Sequence, residues 1–291
     1  MLSSSPTESA SAWRLNDATD MHDRLSVHAV CFPGAGWSEL AGYWRDLGAR
    51  RVSVASNLLL ENGSRAARDT LQACNCVIET ITHPFLSDQH LDQTEDSWRA
   101  ARGTLNHLIE IASSLDAGSI YMLTGGHGSL TWEEAAGAFS EAIAPCVAQA
   151  KAAGVPLLVE NSSPLYAHAH IAHTLRDTVT LAQAAGIGVC MDLFACWAEA
   201  GLRESIEQAM PACHVVQVCD YVYGDRALPA RAVPGDGAIP VKRILEWVLQ
   251  AGYTGAFDIE LIGPRIDAEG RLAAVRRTAA NVGEMLIALG A

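Results

Sequence analysis

The chain of 291 residues is acidic and rich in apolar side chains, and both properties limit what it can be. Its composition is 49% hydrophobic, and its formal net charge is −13. The apolar content suffices for a sizeable buried core and excludes a disordered chain. The negative charge repels a phosphate backbone and disfavours nucleic acid as a partner. We therefore expect a globular protein that acts on a small molecule.

The sequence carries no recognisable signal for export or membrane insertion. The first segment, MLSSSPTESASAW, lacks the basic and apolar regions of a secretory leader, and no uncharged apolar run approaches the ~20 residues needed to span a bilayer. The eight cysteines lie mostly in apolar runs without paired metal-type spacing, which is typical of reduced core thiols. We expect a cytoplasmic protein that does not contact a membrane.

Strand-like and helix-like segments alternate along the chain after a polar tail at residues 1–22, which we expect to be flexible. The strand candidates are LSVHAVCF, RRVSVAS, CVIETITH, SIYMLTG, VPLLVEN, GIGVCMDL, HVVQVCDY and GAFDIELI. This alternation predicts parallel strands with crossover helices. Eight units over residues 23–291 match the roughly 250 residues of a single-domain (β/α)8 barrel. A doubly wound open sheet is the alternative, but no dinucleotide-binding fingerprint or P-loop follows the first strand.

Local signals place several helix ends. Thr131 and Glu134 have the spacing of a capping box, and Pro240 stands at a predicted first helical position. Gly252 closes the apolar stripe that follows Pro240. Pro145 is expected to kink or split its helix. The glycine-rich GGHGSL at 125–130 is too short for a phosphate-binding loop and predicts a tight turn.

Polar side chains end the last four strand candidates. Glu160, Asp192, Gln217 (with Asp220 just beyond) and Glu260 occupy these ends in LLVEN, VCMDL, VVQVCDY and FDIEL. In a barrel the carboxyl ends of the strands converge on one mouth, where barrel enzymes carry out their chemistry. We therefore expect these four side chains to meet.

Three carboxylates that meet without a cation cannot all ionise cheaply, and a divalent metal removes that penalty. Carboxylates with one amide oxygen form a hard, all-oxygen set that suits Mn²⁺ or Mg²⁺ better than Zn²⁺. One such acid alone would more simply cap a helix or pair with a basic side chain. Four at consecutive strand ends favour a metal site.

At these residues the chain resembles the sugar phosphate isomerase/epimerase family, the xylose isomerase-like barrels that include endonuclease IV. The similarity is densest from LLVEN to FDIELIGP, and PGDGAIPVKRILEWVLQAGYTGAFDIE is similar to the family's turn, helix and entry to strand eight. The resemblance implies a (β/α)8 barrel with a metal held by Glu160, Asp192, the residue at position 217 and Glu260.

The sequence departs from the family pattern at two positions. Gln217 stands where the family commonly has a histidine ligand, and an amide oxygen is a weaker donor than imidazole toward softer metals. His214 lies three residues earlier and should face away from the mouth. Ala195 replaces a substrate-binding histidine of many epimerases, which argues against a plain free-sugar epimerase mode.

The resemblance implies that Glu160 and Glu260 are acid/base residues as well as metal ligands. In the family the metal binds adjacent carbonyl and hydroxyl oxygens of the substrate, and the two glutamates exchange protons with carbon on opposite faces. A positioned carboxylate contributes about 10²–10⁴-fold to such proton transfer. The expected reaction is isomerisation or epimerisation of a polyhydroxylated carbonyl compound through an enediolate.

Further polar and aromatic residues near the expected mouth are candidates for substrate binding. His83 ends strand three, and His168 lies with His170 and His173 in the loop after strand five, where a solvated loop is the alternative to a second metal site. The loop after strand seven carries Arg226, for which a pair with Asp225 or another acid is the alternative, and also Arg231. Arg265 follows strand eight and could meet a phosphate or carboxylate.

Trp37, Trp132 and Trp197 follow strands one, four and six, and either line an apolar pocket or pack their helices.

Three other functions stay open. A lyase or dehydratase acting on a cyclic polyol or glycoside-like ketone would use the same residues. An endonuclease IV-like enzyme would need further ligands and a basic groove. A catalytically inactive barrel that binds a ligand is compatible with Gln217. Association into a homodimer or homotetramer is an expectation from the barrel class alone.

Overall fold

Eight parallel strands close into a barrel in the computed structural model, which describes residues 21–87 and 89–291. Each predicted strand segment overlaps one strand, and β8 pairs with β1 to close the sheet. The strands are β1 Leu25–His28, β2 Arg51–Ala55, β3 Val77–Pro84, β4 Ile120–Leu123, β5 Leu157–Glu160, β6 Gly188–Asp192, β7 Cys213–Val218 and β8 Phe257–Ile259. The predicted single (β/α)8 barrel is confirmed.

Helices connect the strands and surround the barrel. They are α1 Trp37–Leu47, α2 Ser56–Cys74, α3 Glu95–Ser114, α4 Trp132–Ala153, α5 Leu175–Ala185, α6 Leu193–Cys196, α7 Leu202–Ala209, α8 Val241–Gln250, α9 Pro264–Glu269 and α10 Arg271–Ala288. Short 3₁₀ helices span Ala29–Cys31, Pro164–Tyr166 and Met210–Ala212. Of the tail predicted at residues 1–22, residues 1–20 lie outside the described residues, and Met21 is buried in the core.

The sequence places apolar side chains on the outer faces of the strands, where the helices cover them. Val27, Val52 and Ile81 are fully buried between strands and helices, together with Trp44 of α1 and Phe139 of α4. Burying one such side chain stabilises the fold by roughly 1.5–3 kcal/mol. This outer layer forms most of the core and fixes the position of the barrel wall.

The inner faces of the strands form a second, smaller core. Tyr121, Leu158, Cys190 and Val215 pack together inside the barrel. Because side chains alternate along a strand, the residues two positions beyond the last three point into the same interior, nearer the mouth. Those residues are Glu160, Asp192 and Gln217. The alternation of side chains along each strand thus brings the polar strand ends together inside the barrel, near its mouth.

Helix-end predictions fared differently. The Thr131 hydroxyl accepts a hydrogen bond from the Glu134 amide, and the Glu134 carboxylate accepts one from the Thr131 amide, which confirms the capping box. Pro145 was expected to kink or split its helix, and the helix is not split, because α4 runs unbroken across the proline. Ile143 and Cys146 flank the proline and are buried, so packing holds the helix where one hydrogen bond is missing. Pro240 lies one residue before α8 and not at its first position.

All eight cysteines are unbonded, and most are buried, as expected for core thiols. No helix in the described ranges combines the length and the apolar composition that crossing a bilayer requires.

Candidate active site at the barrel mouth

Four strand-end side chains and one loop arginine meet in the barrel mouth. Glu160 ends β5, Asp192 ends β6, Gln217 is the last but one residue of β7, and Glu260 directly follows β8. All four are buried, and Arg231 from the loop after β7 is buried among them. The structure therefore brings together the predicted strand-end residues and adds a cation that the sequence reasoning had not placed there.

Arg231 pairs with two of the four side chains. Its guanidinium donates to both carboxylate oxygens of Asp192, at 3.1 and 2.9 Å, and one of its nitrogens lies 3.1 Å from Oε1 of Glu260. The guanidinium also lies 4.9 Å from the centre of the Phe194 ring. The planar fork of an arginine suits such two-point pairing. Arg231 therefore connects β6 with β8.

The signal that could have located Arg231 is its neighbourhood in the sequence. It stands in PARAV, where Ala230 precedes it and Ala232 and Val233 follow it. All three neighbours are buried. A charged side chain in such an apolar run is seldom buried without a partner. The pattern thus predicts a buried ion pair, although it does not identify the carboxylates.

A chain of hydrogen bonds across the barrel interior orients Gln217. The Val30 amide donates to Nδ1 of His28, so the ring proton sits on Nε2, which donates to the Tyr121 hydroxyl at 3.1 Å. Nε2 of Gln217 donates to the same hydroxyl at 3.2 Å and to Oε2 of Glu260 at 2.5 Å. Oε1 of Gln217 is buried and has no hydrogen-bond partner in the described residues.

The buried carboxylates differ in their electrostatic surroundings. Burial raises the pKa of Glu160 well above its usual range, and the charges of Glu260 and Asp192 raise it further. Burial also raises the pKa of Asp192, against the opposing effect of Arg231. Glu260 instead contacts Arg231 and Gln217 on separate oxygens. One glutamate whose pKa is raised by burial thus stands near another that is paired with a cation.

The donor set fits a hard divalent ion, although the site is not arranged around one. Arg231 and Gln217 contact the carboxylate oxygens of Asp192 and Glu260 but not those of Glu160, and the unpartnered Oε1 of Gln217 offers a further oxygen. However, no three His, Cys, Asp or Glu side chains among the described residues are grouped so that they could hold a metal ion. Arg231 takes the oxygens of Asp192 and Glu260 that such an ion would need.

His83, predicted to contact substrate, lies outside the barrel interior. Its neighbour Thr82 pairs with Tyr121, whose side chain points inward, so His83 faces the helices by strand alternation. Its Nδ1 shares a 3.0 Å hydrogen bond with the hydroxyl of Ser56 at the start of α2. The structure thus places His83 away from the strand-end carboxylates, and its contact with substrate stays a prediction.

The histidines of the loop after β5 have unequal positions. His168 is exposed and forms no hydrogen bond to the strand-end residues. The buried His170, which the sequence analysis did not single out, accepts from the Thr124 amide through Nδ1 and contacts the Glu160 carbonyl oxygen at 2.7 Å through Nε2. Burial lowers the pKa of His170 to about 4, so the ring is neutral near pH 7. His170 holds the backbone of Glu160 in place.

The tryptophans mainly pack against the protein. Trp37 contacts Trp44 of the same helix, and the indole of Trp132 donates to the Ile171 carbonyl. Trp197 lies 6.3 Å from the ring of Tyr223, near the mouth, in a series of rings that reaches Phe194 through Tyr221. The structure thus places Trp197 at the rim and not against the carboxylates.

Arg226 and Arg265 lie together on one side of the mouth. They line a cavity of about 120 Å³ to which Arg231 also contributes. Asp225 accepts two hydrogen bonds from Arg265, at 2.6 and 3.0 Å. The alternative of a pair between Arg226 and Asp225 is therefore wrong, since Arg265 is the partner.

Asp220, counted with Gln217 among the polar strand ends, does not face the carboxylates. Its two carboxylate oxygens accept hydrogen bonds from the backbone amides of Tyr221, Gly235, Gly237 and Ile239. Asp220 therefore shapes the loop that carries Arg231.

Comparison with known proteins supports the same architecture. Residues 43–281 match the family model described as xylose isomerase-like TIM barrel, and no curated protein matches the sequence. D-psicose 3-epimerase from Clostridium cellulolyticum H10, solved with D-tagatose, shares 15% identity over 90% of this chain and 98% of that chain, with a TM-score of 0.74.

Two further solved structures are similar. A xylose isomerase-like TIM barrel protein from Mycobacterium smegmatis in complex with magnesium shares 17% identity over 92% of this chain and 98% of that chain, with a TM-score of 0.68. The probable 3-DHS dehydratase AsbF from Bacillus anthracis shares 12% identity over 89% of this chain and 98% of that chain, also with a TM-score of 0.68. At these identities the similarity shows the fold.

Proposed function

Since the chain belongs to the xylose isomerase-like TIM barrel family, we propose that it is a divalent-metal-dependent isomerase or epimerase. Its substrate is a sugar or another polyhydroxylated carbonyl compound, which reacts through an enediolate. The observation that carries the proposal is the meeting of Glu160 and Glu260 in one buried mouth, in unlike surroundings. The epimerase among the similar structures supports the reaction type.

The metal in this proposal is Mn²⁺ or Mg²⁺, held by Glu160, Asp192, Glu260 and the amide oxygen of Gln217. The magnesium in the similar Mycobacterium smegmatis structure supports a hard ion. When bound, such an ion polarises the carbonyl oxygen of the substrate and so acidifies the neighbouring C–H.

The protein's own residues then move the proton. Glu260, with both oxygens oriented by Arg231 and Gln217, takes the proton from carbon. Glu160 returns a proton on the opposite face. The chain from His28 through Tyr121 keeps the Gln217 amide, and with it Glu260, in a fixed orientation.

A dehydratase or lyase on a related polyhydroxylated ketone is the second candidate. The raised pKa of Glu160 favours it, because a protonated carboxyl group near the substrate can protonate a departing hydroxyl. The dehydratase among the similar structures supports this reading. Only elimination yields an unsaturated product, so product analysis separates the two reactions.

The test measures metal content and solvent deuterium exchange on the same protein. We expect about one Mn²⁺ per chain after loading, and exchange of deuterium into a ketose at the carbon beside the carbonyl. Glu160→Gln and Glu260→Gln should bind Mn²⁺ weakly and lower the exchange rate about 100-fold or more. Glu61→Gln, an exposed change on α2, is the matched control. Absence of both metal and exchange in the wild type would favour a non-catalytic binding barrel.

A further inference from the structure

We propose that the cavity beside the carboxylate site binds an anionic group of the substrate, a carboxylate or a phosphate. This inference rests on the proposed function and narrows it, because the substrate would then be a sugar acid or a sugar phosphate. The cavity measures about 120 Å³ and is lined by Arg226, Arg231, Arg265 and Asp225, with only alanine and proline besides.

The charge of the lining distinguishes this cavity from the rest of the molecule. Three arginines line it against one aspartate, in a chain whose formal net charge is −13. The alanine and proline walls offer no side-chain hydrogen bonds of their own. Positive side chains concentrated in one recess of an acidic protein attract an anion to that recess.

The three arginines are not equally occupied. Arg265 is held by its two bonds to Asp225, and Arg231 by Asp192 and Glu260. Arg226 is exposed and forms no hydrogen bond or ion pair with any described residue. Its guanidinium is therefore available to an incoming anion, while Arg265 presents its remaining N–H donors in a fixed orientation.

The size of the cavity admits a small charged group. A cavity of about 120 Å³ holds several water molecules, so a carboxylate or a phosphate group has room in it. We assign the recess to such a group because its polar lining consists of three arginines and one aspartate.

Arg231 makes the recess continuous with the carboxylates. Arg231 lines the cavity, and its guanidinium contacts Asp192 and Glu260. A substrate whose charged end lies in the recess thus places the carbons next to that end beside Glu260. Binding of the anionic group would hold the substrate in one orientation and so position the reacting carbon beside the carboxylates.

The experiment first measures binding of inorganic phosphate and of acetate by calorimetry to the Mn²⁺-loaded protein. It then compares a neutral ketose with its phosphate ester and with its uronate, by binding and by solvent exchange. The variants are Arg226→Gln and Arg265→Gln. The matched control is Arg203→Gln, an exposed arginine on α7 that pairs with Glu207.

We expect one anionic form to bind at least about tenfold more tightly than the neutral ketose, which identifies the group as phosphate or carboxylate. Arg226→Gln should abolish this preference and Arg203→Gln should preserve it. Equal binding of the neutral and charged forms, or a preference that survives in Arg226→Gln, would overturn the inference. Exchange with neutral ketoses alone would leave the proposed function standing without the subsite. Anion preference without exchange would leave the subsite and refute the function.

Discussion

Arg231 and a divalent metal ion would use the same carboxylate oxygens. Arg231 engages both oxygens of Asp192 and one of Glu260, and the Gln217 amide engages the other. A divalent ion held there as proposed would have to displace Arg231 from part of its pairing.

Replacing Arg231 by methionine tests this competition directly. Arg231→Met keeps the apolar stem but leaves the buried carboxylates without their cation, which should lower the stability of the metal-free protein by about 3–5 kcal/mol. Without the repulsion between two cations, Mn²⁺ should bind at least about tenfold more tightly. Calorimetry and urea unfolding measure the two effects, with Arg203→Met as control. Unchanged or weaker Mn²⁺ binding would refute the competition.

The sequence predicted the acids of the site but not the contacts of Arg231, for a physical reason. Strand alternation has a fixed period, so the inward direction of Glu160 and Asp192 follows from the barrel alone. Arg231 lies in a loop without a period, and its partners are distant in the chain. Long-range pairing of this kind depends on loop geometry that local residue preferences do not determine.

The loop after β7 is shaped by one buried carboxylate. Asp220 accepts four backbone hydrogen bonds and forms an antiparallel bridge with Ala232, the neighbour of Arg231. A Cβ at Gly237 would lie 2.3 Å from the Tyr221 carbonyl oxygen and 2.4 Å from the Asp220 carboxylate, so only glycine fits there. The backbone beside Arg231 is thus fixed. The Arg231 side chain must therefore rotate if it is to leave Asp192 and Glu260.

Changing Asp220 to asparagine should loosen this loop. The amide group of Asp220→Asn replaces one acceptor oxygen by a donor that faces backbone N–H groups. Because hydrogen bonds to charged groups contribute about 1.5–3 kcal/mol each, we expect a loss of at least about 2 kcal/mol in the free energy of unfolding. Urea unfolding measures it, with the exposed Asp69→Asn as control. Stability equal to that of the control would show that the loop does not depend on Asp220.

Element prediction succeeded where the pattern was local and failed where packing intervened. The apolar runs predicted eight strands because buried parallel strands need continuous apolar residues. Pro145 was expected to kink or split α4, but α4 is not split, because burial of the flanking Ile143 and Cys146 outweighs the lost hydrogen bond. β1 ends at His28, where the side chain accepts a bond from the Val30 amide and starts a 3₁₀ helix. Such side-chain caps are not visible in the apolar pattern.

Closing the barrel and covering it with helices buries several histidines, which affects the stability of the whole molecule. Burial lowers the pKa of His28 to about 3, and those of His83 and His170 to about 4. In the unfolded chain each would titrate near the ordinary value of about 6.5. Between these values the unfolded state binds more protons than the native state, so stability falls as the pH falls below about 6.5.

His83 isolates one part of this acid sensitivity, because its partner is Ser56 and not a carboxylate of the site. His83→Asn retains an atom that can bond to Ser56 but cannot be protonated. Since one pKa unit corresponds to about 1.4 kcal/mol, wild-type stability should fall about 2 kcal/mol further than that of His83→Asn between pH 7 and pH 5. Urea unfolding at both pH values gives the change in the free energy of unfolding for each protein. A loss of stability that the substitution causes equally at both pH values cancels in this comparison. The exposed His107→Asn should follow the wild type. If His83→Asn lost as much stability as the wild type over this interval, His83 would be protonated in the folded protein and its burial would not govern the acid sensitivity.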